Sequence, residues 1–181
     1  QIGVIGTVLL KFVEKRFGKE TLGIILKKAG LTSIDDIDAP QSYSDEETFA
    51  AVGICLEVTG WSLHAFMEAL GDYFILWAVD AGYDKMMRAM ANNLHEFLNN
   101  VNFMHYFVNQ CSFRSEMKEP NLKCTQLNDE VLLLNYISRR RGLNALVLGL
   151  ISICEVTEYD RNDATDIHTL YKIVLDTSSP H

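Results

Sequence analysis

What this chain has little of narrows its function before any motif is read. Its four cysteines (Cys55, Cys111, Cys124 and Cys154) are scattered and form no CxxC pair. That spacing argues against tetrahedral zinc and against a disulfide frame. It predicts free thiols in a reducing compartment, hence a cytoplasmic protein. Positive charge is also scarce: 16 Lys and Arg stand against 24 Asp and Glu, a formal net charge of −8. The basic run Arg139-Arg140-Arg141 is too short to make a stripe or a tail. A nucleic-acid face needs a basic patch, so no nucleic-acid partner is expected. Anionic membranes are disfavoured for the same reason. No apolar run approaches the roughly 20 residues that span a bilayer, so no membrane insertion is expected.

Other signals are missing too. The opening segment "QIGVIGTVLLKFVEKRFG" lacks a charged n-region followed by a small-residue cleavage site. It reads as an amphipathic helix. Gln1 in place of an initiator methionine implies a processed, tagged or partial chain. No Ser/His/Asp set, phosphate-cradling glycine loop or pair of carboxylates on one face supports an enzyme. "GVIG" is too short for a dinucleotide fingerprint and lies on a helix.

What is present is a core-forming chain, 48% hydrophobic over 181 residues. The first two-thirds read as helices. Val4, Val8, Leu9, Phe12 and Val13 form a stripe at helical spacing, ended by Gly18. Thr21 to Lys28 reads as a second short helix. Ser44 followed by Glu47 has capping-box spacing and starts a helix that Gly60 stops. Ser62 caps a helix over Trp61 to Ala69, and "DYFILWAVDAG" after Gly71 reads as a separate, buried helix. Leu94 to Cys111 is long and periodic. After Pro120 the pattern changes: "NLKCTQLNDEVLLLNYIS" reads as two strands joined by "LNDE". "GLNALVLGLISICEV" reads as a buried helix and "DIHTLYKIVLD" as a strand. Helices followed by an antiparallel sheet with a helix packed on it make an α+β fold.

Two features carry chemistry. Leu94, Leu98, Val101, His105 and Val108 fall at steps of three and four, so His105 points with the core-facing residues. A buried neutral histidine with a hydrogen-bond partner is the ordinary reading. A lone imidazole on an apolar face is also what a five-coordinate haem needs. His64, His95, His168 and His181 are placed less well. The second feature is "YISRR". Alternate strand positions share a face, so Tyr136, Ser138 and Arg140 aim a phenol, a hydroxyl and a guanidinium at one point. That set suits a pair of carboxylates, while a solvated strand end is the ordinary reading of the motif taken alone.

With these residues the chain resembles the haem-nitric-oxide/oxygen-binding (H-NOX) family, the sensor domain at the amino end of soluble guanylate cyclase and of bacterial gas sensors. The matching pieces include "RFGKETLGIILKKAGL", "YSDEETFAAVG", "ALGDYF", "AGYDKMMRAM", "EFLNNVNFMH", "MKEPNLKC" and "YISRRRGL". The Tyr-x-Ser-x-Arg motif, about thirty residues after His105, is the most specific of them.

The resemblance implies one domain over 1–181, with 1–62 as a distal helical subdomain and 63–181 as a proximal subdomain holding the haem ligand and the sheet. It implies a haem b, ferrous, with His105 as its iron ligand. Tyr136, Ser138 and Arg140 correspond to the clamp on its propionates, and Pro120 to the residue pressing on the porphyrin. Ile5, Phe74 and Leu146 align with the distal wall, where oxygen-binding members carry a tyrosine. Their apolar side chains imply nitric oxide and carbon monoxide as ligands, with release of His105 as the signal to a cyclase, kinase or partner subunit. Two alternatives stand beside this: a haem-free regulatory or assembly module of a cyclase subunit, and an oxygen-binding H-NOX. Tyr73 is a nearby hydroxyl whose orientation the sequence leaves open. Past Gly149 the chain reads as shortened, without the additional strand that family members carry before the last one.

Overall fold

The structure is a computed structural model. It describes residues 3–37, 43–108, 120–139, 143–151, 155–162 and 167–175, with backbone alone for Gly3, Asp45, 107–108, 155–162 and 167–168.

Helix α1 runs Gly3–Ala29 with a break at Gly18, where φ is 86° and ψ is 169°. The sequence expectation of two helices is therefore met in dihedral terms, with the second starting immediately after the break. Gly18 supplies the left-handed φ that other residues resist. Helix α2, Asp45–Thr59, begins at the expected capping box. Ser44 Oγ accepts the Glu47 N–H (3.1 Å) and a Glu47 carboxylate oxygen accepts the Ser44 N–H (2.7 Å). Gly60 ends it in the left-handed region.

Helix α3 runs unbroken over Leu63–Ala78, with Ser62 accepting the Ala65 N–H. This corrects the expectation of two helices separated at Gly71. Gly71 lies inside α3, because the helix needs a residue without a Cβ at that point. A π-helical turn, Val79–Tyr83, follows, then α4, Asp84–Met90. The stretch after Gly71 is also less buried than its composition suggests: Leu76 and Val79 are about half exposed.

Helix α5 is Leu94–Val108. Strands β1 (Asn121–Gln126) and β2 (Val131–Ser138) form the expected hairpin, with Leu122 opposite Tyr136 and Cys124 opposite Leu134. Helix α6 is short, Asn144–Leu150. Strands β3 (Glu155–Asn162) and β4 (Ile167–Val174) complete an antiparallel sheet of order β1-β2-β4-β3. Strand β3 corrects the expectation that the chain lacks a strand before the last one. Its sequence, "EVTEYDRN", is charged at four of its eight positions. Pairing with β4 makes it a strand, where apolar alternation alone did not.

There are two cores. The first joins α1, α2 and α3 through Val8, Leu9, Phe12, Val13, Ile25, Val52, Cys55, Phe66 and Leu70. The second joins α5 to one face of the sheet through Leu98, Leu122, Leu132, Leu134, Tyr136, Tyr171 and Ile173. Helix α6 serves both. Ala145 and Leu146 belong to the first core, Val147 and Ile151 to the second. The Tyr171 hydroxyl donates to the Asn144 carbonyl (2.7 Å), fixing the start of α6 to β4. On the other side, Gly149 meets α3 in backbone contact. A Cβ there would lie 1.9 Å from the Glu68 carbonyl oxygen, and one at Gly71 would lie 2.2 Å from that of Leu146.

Candidate functional site

Helix α5 turns the apolar stripe that contains His105 inward. Leu98 is buried, and Leu94 and Val101 are half-buried against the same core. His105 follows one turn after Val101. Its residue as a whole is half-buried, and its Nδ1 atom is withdrawn from solvent.

Strand alternation places Leu132, Leu134, Tyr136 and Ser138 on one face of β2, and all four are buried. Tyr136 is 2% and Ser138 3% exposed. A solvated strand end, the ordinary alternative for "YISRR", does not describe these two residues. Tyr136 shares the second core with Leu98 of α5, so the face of β2 that carries Tyr136 and Ser138 is turned to the helix that carries His105. Arg140 lies outside the described residues, as do Cys111 and Cys154. Pro120 is half-buried immediately before β1.

Phe74 and Leu146 are half-buried and pack on the first core. The close crossing at Gly71 and Gly149 brings α6 against α3 and so draws these two side chains to one region. Ile5 is half-buried on α1. None of the three side chains can donate a hydrogen bond. Tyr73 sits at the α1–α3 seam. Its ring centroid is 5.7 Å from that of Phe12, and Lys15 Nζ lies 5.4 Å from it. Burial, followed by the nearby carboxylates of Asp80 and Glu14, pushes its hydroxyl pKa up. The hydroxyl thus lies within the field of two surface acids.

Cys55 and Cys124 are inert by environment. Burial pushes Cys55 up to about 12 and Cys124 up to about 11. No group of three or more His, Cys, Asp or Glu suited to a metal ion occurs among the described residues. No single helix among them is long and apolar enough to cross a membrane.

Sequence reasoning missed Asn99 and Asn102 of α5, whose carboxamides bind the backbone of β1. Their spacing of three on the helix was the available signal. It pointed outward from the apolar stripe and carried no chemistry of its own.

The family model described as Haem-NO-binding matches residues 2–164. The chain belongs to this family. Among curated relatives, the soluble guanylate cyclase gcy-37 of Caenorhabditis elegans is 40% identical over 137 residues, 76% of this chain and 19% of that one. Guanylate cyclase soluble subunit beta-2 of Rattus norvegicus is 31% identical over 105 residues, 58% of this chain and 15% of that one. The chain thus spans about a fifth of the length of the curated relatives it matches. Of the solved structures, an oxygen-binding H-NOX domain related to soluble guanylate cyclases superimposes with a TM-score of 0.79. It covers 100% of this chain and 98% of that one at 17% identity. At that identity the likeness shows the fold alone. This chain is accordingly an H-NOX sensor domain, not a catalytic one.

Proposed function

We propose that this H-NOX domain holds a ferrous haem b through His105 and senses nitric oxide for a guanylate cyclase. The observation that carries this reading is the burial of Tyr136 and Ser138 on the face of β2 that packs against α5. Two hydroxyl side chains are drawn into the core of the subdomain whose helix bears the candidate iron ligand.

The donor set fits the group. His105 offers one imidazole with one nitrogen withdrawn from solvent. Tyr136 and Ser138 offer hydroxyl donors, and Arg140 a guanidinium fork, for two propionates. Pro120 lies at the entry to β1 and packs against the porphyrin in this reading. Bound haem supplies a ferrous iron that takes diatomic gases. Residues 1–62 form the distal helical part and 63–181 the proximal part.

Selectivity follows from the wall. Ile5, Phe74 and Leu146 present hydrocarbon to the distal side, so they leave a polar bound dioxygen without a donor. Tyr73 does not repair this, because its ring lies at the α1 seam beside Lys15. Nitric oxide and carbon monoxide bind without needing a donor. His105 is the group whose attachment the gas changes, and α5 is the element that moves with it, biasing a two-state output. The partner that reads α5 is the rest of a cyclase of the kind its relatives represent, and the setting is cytoplasmic.

An absorption spectrum of the reduced protein in air, then with nitric oxide, tests the reading. A ferrous spectrum unchanged by air and shifted by nitric oxide is expected. A stable oxygenated spectrum refutes the selectivity. No haem band after reconstitution refutes the sensor reading and leaves an assembly module.

A further inference from the structure

We propose that Asn99 and Asn102 are positioning residues that lock α5 onto the free edge of β1 and thereby fix His105 relative to Tyr136. The role of His105 and Tyr136 as haem-binding residues rests on the function proposed above. The lock itself rests on hydrogen bonds that need no haem.

Strand β1 is at the edge of the sheet, paired on one side by β2. Its other side presents the N–H and C=O groups of Leu122 and Cys124. Such an edge ordinarily invites another strand. Here two carboxamides cover it. Asn102 Oδ1 accepts the Leu122 N–H (3.0 Å) while Asn102 Nδ2 donates to the Leu122 carbonyl (2.6 Å). Asn99 does the same to Cys124, at 3.0 Å and 3.1 Å. Each side chain imitates the peptide group of a neighbouring strand, offering one acceptor and one donor side by side. His95 Nε2 adds a contact to the Cys124 carbonyl at 3.2 Å.

The geometry sets position as well as adding stability. A slide of α5 along β1 by one residue would break all four carboxamide bonds together. His105 stands one helical turn after Asn102, and Leu122 is the cross-strand partner of Tyr136. The path from the iron ligand to the clamp strand is therefore His105, Asn102, Leu122, Tyr136. An aspartate in place of either asparagine would keep the acceptor but turn a carboxylate oxygen on the strand carbonyl. A leucine would lose both bonds.

The test is the haem-loaded double variant Asn99→Leu/Asn102→Leu against wild type. Two quantities are read: amide exchange at Leu122 and Cys124, and the resonance Raman band of the iron–His105 stretch. We expect protection at both amides to fall by about tenfold or more, the size of one lost hydrogen bond. Lys123, which faces β2 by strand alternation, stays protected. The stretching band shifts and broadens, because α5 samples several positions. Ile25→Ala, a cavity in the other core, should lower stability but leave that band in place. Unchanged protection overturns the lock, and an unchanged band in a folded double variant overturns its coupling to His105. Should the double variant not fold, Asn102→Leu alone, which loses both bonds to Leu122, is read at the Leu122 amide and at the iron–His105 band by the same criteria. A wild-type chain that takes up no haem refutes the function proposed above, while exchange in the haem-free chain still decides the lock.

Discussion

Adding one methyl group at Gly149 tests the α3–α6 crossing. The Cβ of Gly149→Ala would stand 1.9 Å from the Glu68 carbonyl oxygen and 2.8 Å from the Asp72 nitrogen. Both obstacles are backbone, so no side chain can swing aside. Ordinary carbon–oxygen contact requires about 3.3 Å, so the helices must part by more than about 1 Å at this point. Helix propensity works the other way, since alanine is favoured over glycine by about 1 kcal/mol inside a helix. Overpacking a tight contact costs about 1–3 kcal/mol, and more where backbone must move. Strain wins, and we expect a net loss of about 2 kcal/mol or more. The paired control is Gly53→Ala, mid-helix in α2 with nothing within 4 Å of the new Cβ. There propensity acts alone and should stabilise by about 0.5–1 kcal/mol. Urea denaturation followed by circular dichroism reads both. A Gly149→Ala midpoint at or above wild type would refute the reasoning. Because α6 carries Leu146, the same variant should also perturb the distal wall.

Other outcomes follow from the same packing. Leu134→Ala, at a side chain with no exposed surface in the second core, should cost about 2–5 kcal/mol in denaturant unfolding. Ser44→Ala removes one half of the α2 capping box and should cost about 1 kcal/mol by the same assay. The Ser44 backbone N–H, then its side chain, hold the Glu47 carboxyl below its ordinary pKa. A depressed folded value means this contribution is complete above the ordinary glutamate range, near 4.3, and is lost as pH falls through the folded value. Glu47→Gln should accordingly flatten the acid limb of the stability curve, and an unaltered limb would count against the assignment. Burial keeps the Cys55 and Cys124 thiols protonated far above neutrality, so iodoacetamide at pH 8 should leave both unmodified until the chain is unfolded. Peptide mapping by mass spectrometry checks this. Leu146→Tyr would introduce a donor on the distal wall and should permit a stable oxygenated spectrum; its absence would show that the side chain does not reach the ligand.

Local order was legible from the residues alone. Periodicity turned Leu98 and His105 inward together, because residues three and four apart share a helix face. Alternation did the same for Tyr136 and Ser138, because a strand repeats every two residues. Ser44 with Glu47, and Ser62, declared helix starts through side chains that satisfy backbone N–H groups only a turn away. Each of these signals is complete within a few residues of chain.

Tertiary structure decided the rest. Gly71 reads as a helix stop, since glycine is a poor helix former, yet α3 passes through it because the α6 backbone leaves no room for a Cβ. Strand β3 shows no apolar alternation and exists through its pairing with β4. Asn99 and Asn102 look like polar residues on the outer side of α5. Their partners are the backbone groups of Leu122 and Cys124, twenty and twenty-five positions away. Chain spacing can say which way a side chain faces along its own element. It cannot say what stands opposite, because that depends on how elements distant in sequence pack.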